Sequence, residues 1–302
     1  MQIRQYTPEL AEEAAQAYNR LVQKVPYCYA VTGKTFGVEV SKPLPDDTDD
    51  VPLEWQNELV ATEAGRVQGF IQFGATLKRS DEHRREREGI IRFFWYETGR
   101  RAAGQALLNA AEKVLRDRGV RRVDAFHQNY TYGFYQLEYS YLSTRLGHID
   151  GLLRLNGYRR VAGEVFLQRT DFDPLEPIRT DLDARISVQW EKGRAHRPNL
   201  RVGAHLRDTQ VGACFAHGIA DYAGDETARD WFCIASLGVD DSFRGRYLGK
   251  HLLERTMSEM HRAGYRHAII STAANNHLAF VFYCNMGFEV SDWTFGLSKI
   301  LR

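Results

Sequence analysis

Between Leu237 and Lys250 the chain reads Leu-Gly-Val-Asp-Asp-Ser-Phe-Arg-Gly-Arg-Tyr-Leu-Gly-Lys, a stretch with the makings of an anion site. A nearly continuous apolar run, Trp231–Val239, leads into it. An amphipathic run follows, with Leu248, Leu252, Leu253, Met257 and Met260 at helical spacing. A strand, a turn of small residues and a helix leave the first helical N–H groups unpaired and pointing outward. The helix dipole adds positive potential there, and Arg244, Arg246 and Lys250 add charge beside it. Gly245 and Gly249 keep the turn slim. The chemistry on offer is the grip of a pyrophosphate, although the same residues also suit an ordinary tight loop with solvated cations.

The surrounding pattern supplies the elements. Arg185–Trp190 alternates like a strand, and Leu200–Leu206 with Gln210–Gly218 reads as a hairpin about Arg207-Asp208-Thr209. Leu248–Arg262 is helical, with Gly264 just past its end. His267–Thr272 is a buried strand, Asn276–Met286 a helix capped by Asn275 or Asn276, and Glu289–Ile300 a closing strand.

The same order occurs earlier in the chain. Leu107, Leu108, Gly104, Gly119 and Arg121 each recur 145 positions later, as Leu252, Leu253, Gly249, Gly264 and Arg266. Gln68-Gly69 matches Val211-Gly212 at an offset of 143, and Asn156-Gly157-Tyr158 matches Met286-Gly287-Phe288 at 130. Ordered matches with drifting offsets mark two copies of one fold. The first copy carries extra residues in Tyr130–Ile149 and an early helix, Pro8–Val25, that the second lacks. The expected organisation is an N-terminal domain over 1–172, a linker over 173–183 and a C-terminal domain over 184–302. Lys42–Pro52 reads as a surface loop and Arg79–Glu88 as a solvated turn. Each half is expected to be a mixed sheet with helices on its faces, an α/β architecture.

Asn276, Ala279, Tyr283, Gly287 and Phe288 fill an Asn-x-x-Ala-x-x-x-Tyr-x-x-x-Gly-Phe pattern, one helix and one strand after Arg244 and Gly249. With those residues the chain resembles the GCN5-related N-acetyltransferase (GNAT) superfamily, and as a whole its tandem-domain members. Tyr247 departs from the family's loop by standing at its first glycine. The resemblance implies acetyl-CoA as co-substrate and direct attack of a primary amine on the thioester. It implies that the backbone of Leu237, Gly238 and Val239 pairs with pantetheine and that the amides of Arg244, Gly245, Arg246, Tyr247, Leu248, Gly249 and Lys250 hold the pyrophosphate. Asn276 would lie near the pantetheine arm, and Tyr283 would protonate the departing thiolate; the plain reading of Tyr283 is a packed core tyrosine. Trp231–Val239 contains no carboxylate, so Asp230 at its start becomes the candidate base, ahead of Asp221, Asp225, Glu226 and His217, with a chain of waters as the alternative. The first copy has Leu153 at the tyrosine position and reads as catalytically degenerate. The tyrosines of its insertion, Tyr139 among them, could wall an acceptor or simply pack. A CoA-binding regulatory module without turnover is the competing function.

Forty basic and 39 acidic side chains give a net charge of +1, which offers no general attraction to nucleic acid or to a membrane surface. The four cysteines show no metal-type spacing, and MQIRQYTPELAEEAA lacks the apolar core of a secretion signal. A cytoplasmic monomer or homodimer acting on a small-molecule or peptide amine, with no metal, is the expectation.

Overall fold

A computed structural model describes residues 1–42, 53–79, 85–130, 132–138, 141–173, 176–193, 197–223 and 225–302. Most of the expected Lys42–Pro52 loop, residues 80–84 of the charged run, Tyr139 and Pro174 lie outside the described residues.

The elements run β1 (Gln2–Gln5), α1 (Ala11–Val22), α2 (Gly33–Ser41), β2 (Leu53–Glu63), β3 (Arg66–Arg79), β4 (Arg85–Tyr96), α3 (Arg101–Asp117), β5 (Arg122–Ala125), β6 (Leu142–Ser143), α4 (Gly147–Leu155) and β7 (Arg159–Arg169). The second series is β8 (Arg185–Glu191), β9 (Asn199–Leu206), β10 (Thr209–Gly218), β11 (Trp231–Val239), α5 (Leu248–Arg262), β12 (His267–Ala273), α6 (His277–Asn285) and β13 (Glu289–Ile300). Two of these, β11 and α5, begin and end where the apolar and amphipathic runs do. Both series form mixed sheets with helices packed on them, the expected α/β class.

The duplication is written in hydrogen bonds. Glu97 N–H donates to Gln68 C=O (2.9 Å) as Asp240 N–H donates to Val211 C=O (3.0 Å). Val120 N–H donates to Leu115 C=O as Tyr265 N–H donates to Met260 C=O, each at 3.1 Å across a left-handed glycine, Gly119 or Gly264. Tyr158 to Leu153 and Phe288 to Tyr283 repeat the device at 3.1 Å around Gly157 and Gly287. Only glycine takes such a φ without a Cβ penalty, which is why these glycines stand at matching places.

The compact units are not two contiguous stretches meeting at the 173–183 linker. Unit 1 is Met1–Glu164 with Asp292–Arg302, and unit 2 is Val165–Ser291. Unit 1 orders its strands β1-β2-β3-β4-β5-β13, and unit 2 orders them β7-β12-β11-β10-β9-β8. The end of the second copy therefore closes the first unit: Leu297–Ile300 pair antiparallel with Arg122–Ala125, and Leu297 and Leu301 join that unit's core. Conversely, Val165–Arg169, the end of the first copy, belongs to unit 2. Hydrophobic periodicity announces a strand but not the sheet position it fills.

Candidate active site

In unit 2, β11 pairs antiparallel with β10 from Phe232 to Val239, with Ala235 left over as a bulge between Ile234 and Ser236. Its parallel pairing with β12 is shorter, running from Trp231↔His267 to Ile234↔Ile270. Both strands continue past that point, to Val239 and Ala273, without pairing with each other. The ladder opens there, and the β12-facing polar groups of Ala235–Val239 have no strand partner among the described residues. Ala235, Ser236 and Gly238 are exposed. Such an edge accepts an extended ligand as a further strand.

The turn after β11 is built by its own residues. The Asp240 carboxylate accepts Ser242 N–H (2.9 Å), and Phe243 N–H donates to Asp240 C=O (2.9 Å). Gly245 has φ +77° and Tyr247 φ +61°, both left-handed. The first bond at the α5 end runs from His251 N–H to Tyr247 C=O (2.9 Å), and the amides of Gly245–Lys250 meet no acceptor among the described residues. A Cβ on Gly238 or Gly245 would meet open space, and one on Gly249 only an ordinary contact with Val239 (3.6 Å). Room for a ligand therefore lies over the free amides. Arg244 pairs with Asp241 (2.7 Å), and Lys250 stands 3.8 Å from Glu254. The Arg246 carbonyl accepts from Thr180 Oγ1 (2.9 Å) and Asp181 N–H (3.4 Å), fastening the turn to the preceding segment.

On α6, Asn276 Oδ1 caps the helix by accepting Ala279 N–H (3.2 Å). Tyr283 is buried against Phe288 (6.2 Å between centroids), and its hydroxyl makes no hydrogen bond among the described residues. Burial pushes its pKa up to about 12, and Cys214 adds to the shift. Cys214 pairs across the ladder with Leu237, which sets the phenol near the opened stretch.

Asp230 is not brought to this place. It stands at the other end of β11, ion-paired with Arg197 (2.8 Å). The opening begins at Ala235, five residues further on, about 16 Å at about 3.3 Å per residue. The bulge at Ala235 and the exposed Ser236 are features that sequence reading missed; neither residue type signals a bulge. Among the described residues no group of His, Cys, Asp and Glu could hold a metal.

Residues 167–288 match the model of the "Acetyltransferase (GNAT) family". The whole chain has the fold of tandem GNAT proteins. It is similar to a tandem GNAT protein from the clavulanic acid biosynthesis pathway, with 13% identity, 99% of this chain and 98% of that one covered and a TM-score of 0.67. A GCN5-related N-acetyltransferase from Sphaerobacter thermophilus is 15% identical over 100% of this chain and 96% of that one, with a TM-score of 0.62. A glucosamine N-acetyltransferase region of a fungal multi-domain β-N-acetylglucosaminidase gives a TM-score of 0.65 at 12% identity, over 99% of this chain and 38% of that one. No curated protein sequence matches the chain.

The GNAT-like copy in unit 1 contrasts with that matched stretch. There too the parallel pairing is short, from Glu88↔Arg122 to Ile91↔Ala125. The strand end beyond it is covered, with Phe93, Phe94, Trp95 and Tyr96 all buried. The insertion does this: the rings of Tyr132 and Tyr135 lie 4.9 and 5.2 Å from that of Phe93, and the Arg92 guanidinium stacks on Tyr132 (3.9 Å). His148 Nε2 bonds to Tyr96 C=O (3.0 Å), and Tyr96 Oη donates to His148 C=O (2.7 Å). The Tyr96 ring presses on the first turn of α3, where a Cβ on Gly104 would stand 2.3 Å from it. Ala103 and Gly104 N–H both return to Arg100 C=O. Leu153, fully buried in α4, occupies the counterpart of Tyr283.

Proposed function

We propose that the protein is an acetyl-CoA-dependent N-acetyltransferase working at the open β11–β12 edge of unit 2. The observation that carries this reading is the conjunction of unpaired strand groups at Ala235–Val239 with unpaired amides at Gly245–Lys250. The first suits the amide-bearing pantetheine arm and the second the pyrophosphate, with Arg244, Arg246 and Lys250 adding charge. Asn276 caps α6, so any contact it makes with the arm is additional to that role.

The incoming primary amine, on a small molecule or a peptide, attacks the thioester carbonyl. The C–N bond forms, the C–S bond breaks, and Tyr283 hands its phenolic proton to the leaving sulfur. A phenol holds that proton at neutral pH by its ordinary pKa of about 10, and burial only raises it further. The proton that the amine loses on forming the amide passes through water and restores the Tyr283 phenol, since Asp230 is held by Arg197 away from the opening. The protein's contribution is placement of the donor and one well-placed acid.

The absence of a carboxylate within β11 is what favours the second reading, a CoA-binding regulatory module. Isothermal titration of acetyl-CoA into the full chain and into an Arg244→Glu/Arg246→Glu variant tests the site, followed by a thiol-release assay over a panel of amines. Saturable binding lost in the variant, with amine-dependent thiol release, is the expected result. Binding without release for any amine favours the regulatory module, and no binding at millimolar acetyl-CoA defeats both.

A further inference from the structure

Unit 1 carries a cavity of about 710 Å3, unrelated to the open edge of unit 2 and built where three distant segments converge: the end of α3 with the start of β5, the start of β7, and the end of β13. Five cationic side chains line it, Arg116, Arg122, Arg159, Lys299 and Arg302. Two carboxylates answer some of them. Lys299 Nζ sits on both oxygens of buried Glu112 (2.7 and 2.8 Å), which Arg116 also approaches (3.4 Å), and Arg122 pairs with buried Asp124 (3.1 Å). Arg159 and Arg302 have no carboxylate partner among the described residues. The lining thus holds more positive charge than its own acids neutralise, in a chain whose net charge is only +1.

The same lining includes Val161 and Ile300, each a large apolar side chain about 60% exposed (59% and 64%). Unmatched guanidinium groups beside uncovered apolar surface select an anion with an organic body over a bare ion. The volume is that of a small-molecule site. The cavity also lies away from the place where this unit's copy of the phosphate turn would act. Arg116 is near the C-terminal end of α3, about 22 Å from its first turn at 1.5 Å per residue.

We infer that this cavity is a binding site for a nucleotide-sized phosphate ester, its phosphate held by Arg159, Arg122 and Arg302 and its body resting on Val161 and Ile300. Concave enclosure by three segments argues for a small molecule; a nucleic acid would be met by a cationic stripe continuing over the surface.

The test is isothermal titration of ADP, inorganic phosphate and a single-stranded RNA oligomer into the full chain, the Arg159→Glu and Arg159→Gln variants, and the Arg244→Glu/Arg246→Glu variant. Circular dichroism and thermal melts of each variant establish its folding. The expected result is saturable ADP binding to the wild type and to the Arg244→Glu/Arg246→Glu variant alike. That binding weakens about tenfold or more in Arg159→Glu and less in Arg159→Gln, and phosphate binds more weakly than ADP. ADP binding lost in the Arg244→Glu/Arg246→Glu variant but kept in Arg159→Glu would assign the ligand to the other unit and overturn the inference. So would phosphate binding as tight as ADP, which marks a bare anion site, RNA binding without ADP binding, or no saturation by millimolar ADP. Because the readout is ADP at Arg159, these outcomes stand whether or not acetyl-CoA binds unit 2.

Discussion

Tyr283 and Tyr247 show how one residue type is set to two uses by its surroundings. Tyr283 is buried, so its neutral form is favoured and its pKa rises to about 12. The sign follows: a raised phenol contributes stability that is complete below its unfolded value of about 10 and lost as pH climbs through about 12. In the proposed acid role it stays loaded across the physiological range, so the pH profile of kcat should show no falling limb from this group below about pH 10. Tyr283→Phe should lower kcat about 100-fold or more while leaving the KM for acetyl-CoA and the urea midpoint nearly unchanged, because the hydroxyl has no partner to lose among the described residues. Tyr247 instead is 54% exposed and held at φ +61°, the conformation a glycine would take without strain. Tyr247→Gly should raise stability by up to about 1 kcal/mol, the relieved strain being offset in part by glycine's greater chain entropy, with acetyl-CoA affinity kept. A fall in the urea midpoint would show that the tyrosine ring contributes more than its backbone costs.

At the scale of elements, the two copies share a parallel pairing that stops after four residue pairs, and differ in what happens next. In unit 2 the strand end stays open and the amides at the start of α5 have no acceptor among the described residues. In unit 1 the aromatic residues of the insertion, His148 and Tyr96 fill the corresponding space with packed rings and hydrogen bonds. Ejecting buried aromatic side chains to admit a cofactor would forfeit several kcal/mol. Acetyl-CoA should therefore bind with a stoichiometry of one per chain. Titration to a ratio near two would show that the unit 1 filling moves aside.

Over the whole molecule, unit 1 depends on residues from the far end of the chain, Asp292–Arg302, whereas unit 2 is the contiguous stretch Val165–Ser291. Unit 1 without Asp292–Arg302 loses the strand beside β5, two core leucines, and the bond from Leu301 N–H to Arg121 C=O (2.7 Å). An uncovered sheet edge is an aggregation liability, and the lost apolar burial removes several kcal/mol from a fold with little to spare. A fragment ending at residue 172 should be unfolded or aggregated by circular dichroism and gel filtration, and adding back a peptide of Glu289–Arg302 should partly rescue it. A monomeric, cooperatively melting fragment would show that the exchanged strand is dispensable.

Local order was legible in the residues alone: β11, α5 and β13 at their observed limits, the left-handed glycines closing paired helices, the repeat, and the Asn276–Phe288 pattern running from the cap of α6 to just past its end. These are short-range matters, fixed by side-chain periodicity and by the φ that glycine permits. Asp230 looked like a base because it is the carboxylate next to β11 in the chain, yet a strand carries its two ends far apart, and only the fold gave Asp230 to Arg197. Tertiary structure alone decided which strand lies beside β5, where β11 and β12 part, and that one cleft is filled while the other is open. Each of those depends on pairing between residues distant in sequence, and a strand's own pattern states which face is apolar without naming its neighbour.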